Sequence, residues 1–261
     1  MPLVGNGLTD SSRNPATSSR TLTGIPGLDK LLNGGLPSGR TVLLSGGPGT
    51  GKTILSSQFL VSGILDYEEP GVYVSLDENR LHVNEEMLEF GWDLAGLEDN
   101  RKLVFLEASP ITYLPSETRV GEPTLGRKAF SLATLIDMIR TSVEEIGARR
   151  LVVDPVTTLA FQYDGQAQQR NALVDLMEAL ADTGATCIIT TELRRPGFER
   201  NVDYEEYLAH GVILLQQLQV GKSLLRVIQI EKMRRTLVDN QPRPYRITDN
   251  GIEVFPRESV L

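Results

Sequence analysis

Residues Gly46-Gly47-Pro48-Gly49-Thr50-Gly51-Lys52-Thr53 satisfy the phosphate-binding loop pattern G-x-x-x-x-G-K-[ST] at every defined position. Glycines let successive backbone N–H groups turn inward around a polyphosphate, and residues without a Cβ adopt those dihedrals at low cost. Lys52 is placed to reach the β- and γ-phosphates, and the Thr53 hydroxyl to ligate Mg²⁺. The flanks agree. Thr41–Ser45 is an apolar, β-branched run, and Ile54–Leu60 continues with helical spacing. A helix beginning here aims the positive end of its dipole at the phosphates. The competing reading, a glycine-rich turn matching by accident, does not account for a strand before and a helix after. The stretch predicts binding of a nucleoside triphosphate.

Working outward, Ile25–Leu32 reads as a short helix started by Pro26 and closed by Asn33-Gly34-Gly35. After the loop helix, strands are expected over 71–76, 103–106, 151–154 and 186–191. Helices are expected over 81–90, 131–146 and 168–182, the last two ending at Gly147 and Gly184. Alternating short strands and helices imply a parallel sheet with helices on both faces. The segments 211–219, 223–232 and 245–254 are β-rich and close in sequence, as in antiparallel hairpins that extend one edge. The fold class is therefore α/β. Residues 1–20 are rich in Ser, Asn, Thr, Gly and Pro without a hydrophobic period and read as a disordered tail; residues 21–261 show no internal repeat and read as a single domain.

The chain has 261 residues, 23% of them charged and 40% apolar, with a formal net charge of −8. An acidic balance argues against a protein that coats nucleic acid, since phosphate neutralisation needs a basic face. The lone Cys187 lies in the apolar run Thr186-Cys187-Ile188-Ile189 and reads as a small buried hydrophobe. A single cysteine suits a reducing cytoplasm, and no apolar stretch approaches a membrane span, so a cytoplasmic location is expected.

Binding a nucleotide is not hydrolysing it. Asp154 ends the run Leu151-Val152-Val153, which puts a carboxylate at the C-terminal edge of the sheet, where it can hold the water shell of Mg²⁺. Asp77-Glu78 follows the 71–76 strand and can orient an attacking water. An acidic turn, or a helix cap at Asp77 or Asn79, explains the same residues. Glu231-Lys232-Met233-Arg234-Arg235-Thr236 ends the apolar run 224–230. On a strand, Lys232 and Arg234 share a face and suit the charge on a transferring phosphoryl group, or else simply blunt a sheet edge. His82 and His210 have no ligand-spaced partners, and no transition-metal site is expected.

The order of these elements resembles the RecA-like ATPases, and within them the KaiC family. The resemblance rests on Thr23–Asp29, Gly34–Gly39, the phosphate loop, Pro70–Ser75, Phe90–Leu94, Arg150–Asp154, Gly184–Thr186, Thr190–Glu192, Lys232–Arg234 and Ile247–Ile252. It implies an α/β RecA-like P-loop fold and an ATPase that uses ATP and Mg²⁺. It also implies that Glu78, beside Asp77, polarises the lytic water. Lys232 and Arg234 match cations that family members insert into the neighbouring subunit's nucleotide site. That implies a homo-oligomeric ring, a hexamer built from heterologous contacts. Three positions depart from the family pattern: Asp77 replaces a glutamate, Arg235 a glycine, and His210 an acidic residue. Clock proteins of the family carry two such domains, and the second houses autophosphorylation; here Thr236 alone is a candidate acceptor, beside its reading as an ordinary strand or turn residue. A slow regulatory or signalling ATPase is the leading expectation. The alternative is a nucleic-acid-binding recombination or helicase accessory, using basic loops at Thr112–Lys128 (Arg119, Arg127, Lys128) and Leu193–Asn201 (Arg194, Arg195, Arg200). A third is a nucleotide-gated scaffold that barely turns over.

Overall fold

The structure is a computed structural model that describes residues 19–108, 131–160, 163, 165–193 and 204–260. The alternative's basic residues (Arg119, Arg127, Lys128, Arg194, Arg195 and Arg200) lie outside the described residues, as do residues 1–18 of the expected tail.

In chain order the strands are β1 (Arg20–Thr21), β2 (Leu36–Pro37), β3 (Thr41–Gly46), β4 (Gly71–Ser75), β5 (Leu103–Glu107) and β6 (Arg150–Asp154). They continue with β7 (Thr186–Glu192), β8 (Gly211–Val220), β9 (Ser223–Met233), β10 (Arg243–Thr248) and β11 (Gly251–Val254). The helices are α1 (Leu28–Leu31), α2 (Lys52–Asp66), α3 (Arg80–Leu88), α4 (Leu94–Asp99), α5 (Leu132–Ile146), α6 (Thr157–Ala160), α7 (Gln166–Asp182) and α8 (Tyr204–Leu208). β1 and β2 form a small antiparallel pair; the other strands form a nine-stranded sheet in the order β11-β10-β9-β8-β3-β7-β6-β4-β5. Strands β8 through β5 in that order run parallel, and β9, β10 and β11 continue antiparallel from β8.

A two-residue side-chain period sorts the strands between two cores. Val42, Leu44, Tyr73, Val152, Ile188 and Ile213 pack with α1, α2, α3 and α4 on one face. Their neighbours Leu43, Val72, Val74, Leu151, Val153, Cys187 and Ile189 pack with α5, α6 and α7 on the other. Strands buried on both faces therefore read as continuous apolar runs. Fully burying each such side chain contributes roughly 1.5–3 kcal/mol, so a one-residue slip in register is disfavoured along the whole strand. Cys187 is fully buried, and burial pushes its thiol pKa up, as expected of an inert core residue.

Several element boundaries shift from expectation, the 245–254 segment divides into β10 and β11, and β1, β2, α4, α6 and α8 are additions to the expected elements. Pro26 precedes α1 rather than starting it, because Gly27 intervenes at φ 82°, outside the helical region. The loop helix α2 begins at Lys52 instead of Ile54, directly after Gly51.

Side chains cover both outer strands. At β11, the Gln58 amide Nε2 donates to the Ile252 carbonyl (3.2 Å) and its Oε1 accepts from the Ile252 N–H (2.7 Å). At β5, Glu98 Oε1 accepts from the Phe105 N–H (2.9 Å), and Arg80 donates to the Phe105 carbonyl (2.7 Å). Arg80 and Glu98 also pair with each other at 3.3 Å. At the base of β6 the fully buried Arg150 donates to Glu69 (2.7 Å) and to the Phe59 carbonyl (2.7 Å) of α2. No described helix is long and apolar enough to cross a membrane.

Candidate active site

The loop between β3 and α2 is built by close approach. A Cβ on Gly46 would lie 2.6 Å from Thr50 Oγ1 and 2.9 Å from the Leu215 carbonyl, so glycine alone fits there. The Thr50 hydroxyl donates to the Gly47 carbonyl (2.8 Å), the Tyr245 hydroxyl to the Thr50 carbonyl (2.5 Å), and Gln217 to the Gly49 carbonyl (3.3 Å). The late antiparallel strands thus brace the loop from one side. Lys52 Nζ donates to the carbonyls of Gly46 (2.8 Å) and Gly47 (3.2 Å). Burial pulls the Lys52 pKa down, and the facing carboxylates of Asp154 and Glu192 act the other way.

Lys52, Thr53, Asp77, Glu78 and Asp154 line one cavity of about 120 Å³, together with Tyr73, Ser75 and Glu192. Register explains the convergence. Asp154 is paired with Ser75 on β4, and it shares a face with Val152, the face covered by α2. Both of its carboxylate oxygens are held: Oδ2 accepts from the Tyr73 hydroxyl (2.8 Å), and Oδ1 accepts from the Thr190 hydroxyl. Burial and the adjacent Asp154 push the Tyr73 phenol well above its ordinary pKa, which keeps it a donor. Each carboxylate oxygen retains a lone pair.

The capping alternative for the acidic pair resolves in favour of Asn79. Its side chain accepts from the His82 N–H (2.9 Å) at the start of α3. Ser75 instead fixes the Glu78 backbone, donating to its carbonyl (2.5 Å) and accepting from its N–H (3.1 Å). Burial raises the Glu78 pKa, and the carboxylates of Glu86, Asp154 and Asp77 raise it further.

Lys232 and Arg234 stand elsewhere. β8 runs beside Val42–Gly46 from Gly211 to Leu215, and Gly211 pairs with Met233 at the end of β9. Four strand steps of about 3.3 Å separate that level from Gly46, so the cations lie about 13 Å along the sheet from their own loop. They do converge, but on α8 and not by simple alternation, because Arg234 falls beyond β9. Lys232 Nζ donates to the carbonyls of Glu206 (2.8 Å) and Ala209 (2.8 Å), and Arg234 to that of Tyr207 (3.1 Å). Arg235 sits at φ 60°, in the left-handed region that favours glycine. The Thr236 hydroxyl, the candidate acceptor, is buried.

Comparison with known proteins bears on the whole arrangement. The family profile described as "ATPase: KaiC" matches residues 21–259. The chain belongs to the KaiC ATPase family. It is 38% identical to the circadian clock oscillator protein KaiC of Synechococcus elongatus over 95% of this chain and 46% of that protein. It thus spans about half the length of the KaiC clock proteins it matches. It is also 36% identical to a UPF0273 protein of Methanocaldococcus jannaschii over 91% of this chain and 96% of that one. The crystal structure of a KaiC-like protein from Pyrococcus horikoshii OT3 superposes with a TM-score of 0.78 at 35% identity, covering 92% of this chain and all of that one. The RecA-like fold, a mostly parallel sheet with antiparallel strands extending one edge, agrees with the sequence expectation.

Tyr73, Thr190 and Glu192 were not singled out for the site from sequence. The signal was register. On strands buried on both faces, polar or hydroxyl residues on the α2 face at the level of Asp154 have nowhere to turn but toward it.

Proposed function

We propose that this chain is a Mg²⁺-dependent ATPase whose complete active site forms between adjacent copies in a homo-oligomeric, hexameric ring. The carrying observation is the single cavity that gathers Lys52, Thr53, Asp77, Glu78 and Asp154 at one edge of the sheet, while Lys232 and Arg234 stand at the other. The loop amides and the N-terminus of α2 receive the polyphosphate, and Lys52 leaves its carbonyl partners for the β- and γ-phosphates. The donors at Thr53 and Asp154, a hydroxyl and a carboxylate lining one cavity, fit a hard cation. Mg²⁺ held there supplies charge neutralisation on the phosphates. Tyr73 and Thr190 fix the Asp154 carboxylate for that task. Glu78 orients the attacking water and takes up its proton, with its backbone set by Ser75 and with Asp77 alongside.

The cations that stabilise the transferred phosphoryl group come from a neighbour's Lys232 and Arg234, since one chain cannot bring its own to its own loop. The heterologous contact this requires closes into a ring. A regulatory or signalling output suits the family. Autophosphorylation at Thr236 is disfavoured by the burial of its hydroxyl. Mass measurement of the assembly with and without Mg-ATP is the test. A nucleotide-linked rise from monomer to ring is expected, and full turnover by a species that stays monomeric would overturn the reading.

A further inference from the structure

Glu192, the last residue of β7, lines the nucleotide cavity and has no task in the chemistry above. Its place follows from the strand. Side chains alternate along β7, so Glu192 shares a face with Ile188 and Thr190, the face covered by α2. Thr190 reaches Asp154 from that face. The register pairs Glu192 with Gly46, where the phosphate loop begins. One residue on, the Leu193 N–H donates to the Gly46 carbonyl (3.1 Å), which also accepts from Lys52 Nζ (2.8 Å). The backbone that carries Glu192 is thus tied to the loop itself. The residue is exposed, its carboxylate makes no hydrogen bond among the described residues, and it acts on the Lys52 ammonium.

The loop amides, the positive end of the α2 dipole and Lys52 all attract negative charge. Left to themselves they favour the more highly charged ligand. A metal-free triphosphate carries about two more negative charges than its Mg²⁺ complex, so a fixed carboxylate beside the loop penalises the metal-free form more. We propose that Glu192 restricts the site to the metal complex of a nucleoside triphosphate by repelling the metal-free polyanion. This rests on the reading of the cavity as a Mg²⁺-nucleotide site. Asp154, held by Tyr73 and Thr190, faces the metal that offsets its charge. Glu192 stays outside both the metal-binding and the water-activating roles, and its charge is left to act on the ligand as a whole.

An effect routed through Lys52 has the opposite sign. Burial lowers the Lys52 pKa, and Asp154 and Glu192 counter that burial. Removing the Glu192 charge therefore withdraws support from the ammonium, which weakens the more highly charged metal-free ligand most. Direct repulsion predicts instead that the metal-free ligand gains. The ratio of the two affinities separates the two effects, and because Glu192 is exposed, added salt screens the repulsion.

The test is calorimetric titration of the full chain with the β,γ-imido analogue of ATP, which resists turnover, in excess Mg²⁺ or in a chelator. The unsubstituted chain should bind the Mg²⁺ complex more tightly. Glu192→Gln should tighten metal-free binding by about 10-fold and change binding of the Mg²⁺ complex by less than about threefold. Glu192→Asp should keep the selectivity, and Glu192→Lys should lose more of it than Glu192→Gln. The gap between Glu192→Gln and the unsubstituted chain should narrow at high salt. Glu144→Gln, at an exposed position on α5 away from the cavity, changes net charge equally and should leave the ratio alone. An affinity ratio unchanged in both Glu192→Gln and Glu192→Lys overturns the proposal, as does an equal shift in Glu144→Gln. Either result leaves the nucleotide site standing. Binding of neither form overturns that site as well. If Glu192→Gln does not fold, Glu192→Ala reads the same effect.

Discussion

The two ends of the parallel strands differ in charge far more than in architecture. Where β4, β6 and β7 end, Asp77, Glu78, Asp154 and Glu192 line one cavity with Lys52. At the opposite end, Arg40, His210, Arg234 and Arg235 share a cavity beside Lys232. The first end holds carboxylates where a polyphosphate and its metal would dock; the second is rich in cations, with Glu206 of α8 acting on Lys232. Along the sheet the two ends are about 13 Å apart, four strand steps from the Gly211–Met233 level to Gly46. On the proposed reading, the second half of the chemistry arrives from another copy of the chain.

The strongest way to break the comparison is Glu78→Gln. Turnover should fall by about 10²- to 10⁴-fold while nucleotide binding persists, and an unchanged rate would remove Glu78 from the water-activating role. Next comes Arg234→Ala, expected to lower turnover by about 10²- to 10³-fold with binding retained. Mixing Arg234→Ala with Glu78→Gln subunits sharpens the point. Sites pairing one chain's Glu78 with the other's Arg234 are intact, so steady-state assays of the mixture should recover part of the rate. No recovery would place both residues on one chain. Tyr73→Phe frees one Asp154 oxygen and should weaken Mg²⁺ affinity by about 10-fold, seen as a higher metal concentration for half-maximal rate.

The pH profile tests the acidic end alone. Glu78 must be ionised to accept a proton, and burial with Glu86, Asp154 and Asp77 raises its pKa. The acid limb of kcat should therefore lie above the ordinary glutamate range of about 4.3, and should vanish from the residual rate of Glu78→Gln. The smallest effect is Arg235→Gly at the basic end. Relieving the φ 60° backbone should stabilise the chain by about 1 kcal/mol or less, because the glycine also loosens the unfolded state. Chemical denaturation reads this as a small rise in midpoint at constant slope.

Much of the nucleotide end was legible because its motifs are local. The loop spans consecutive residues, and a strand ending in Asp154 needs only a sheet to be placed. The period-two sorting of β3, β4, β6 and β7 into two cores follows from their apolar runs. What local spacing did not carry was contact across strands. Tyr73 and Thr190 are far apart in the chain and meet only because β4 and β7 flank β6 in register with Asp154. The cap at Asn79 was likewise unreadable beside Asp77, since both residue types suit that position. At the basic end, alternation along a strand did not place Lys232 with Arg234, since β9 ends at Met233; their common partner, the carbonyl end of α8, depended on tertiary packing.

The covered margins of the sheet bear on what kind of polymer this chain can become. An exposed outer strand offers a template on which further strands add without limit, the route to fibres. Here the carboxamide of Gln58 occupies the Ile252 peptide at one margin, and the Arg80–Glu98 couple occupies the Phe105 peptide at the other. At those points backbone-to-backbone growth is blocked on both sides. In the proposed ring, copies recognise one another through side chains, which have a fixed number of complementary partners and can therefore stop counting.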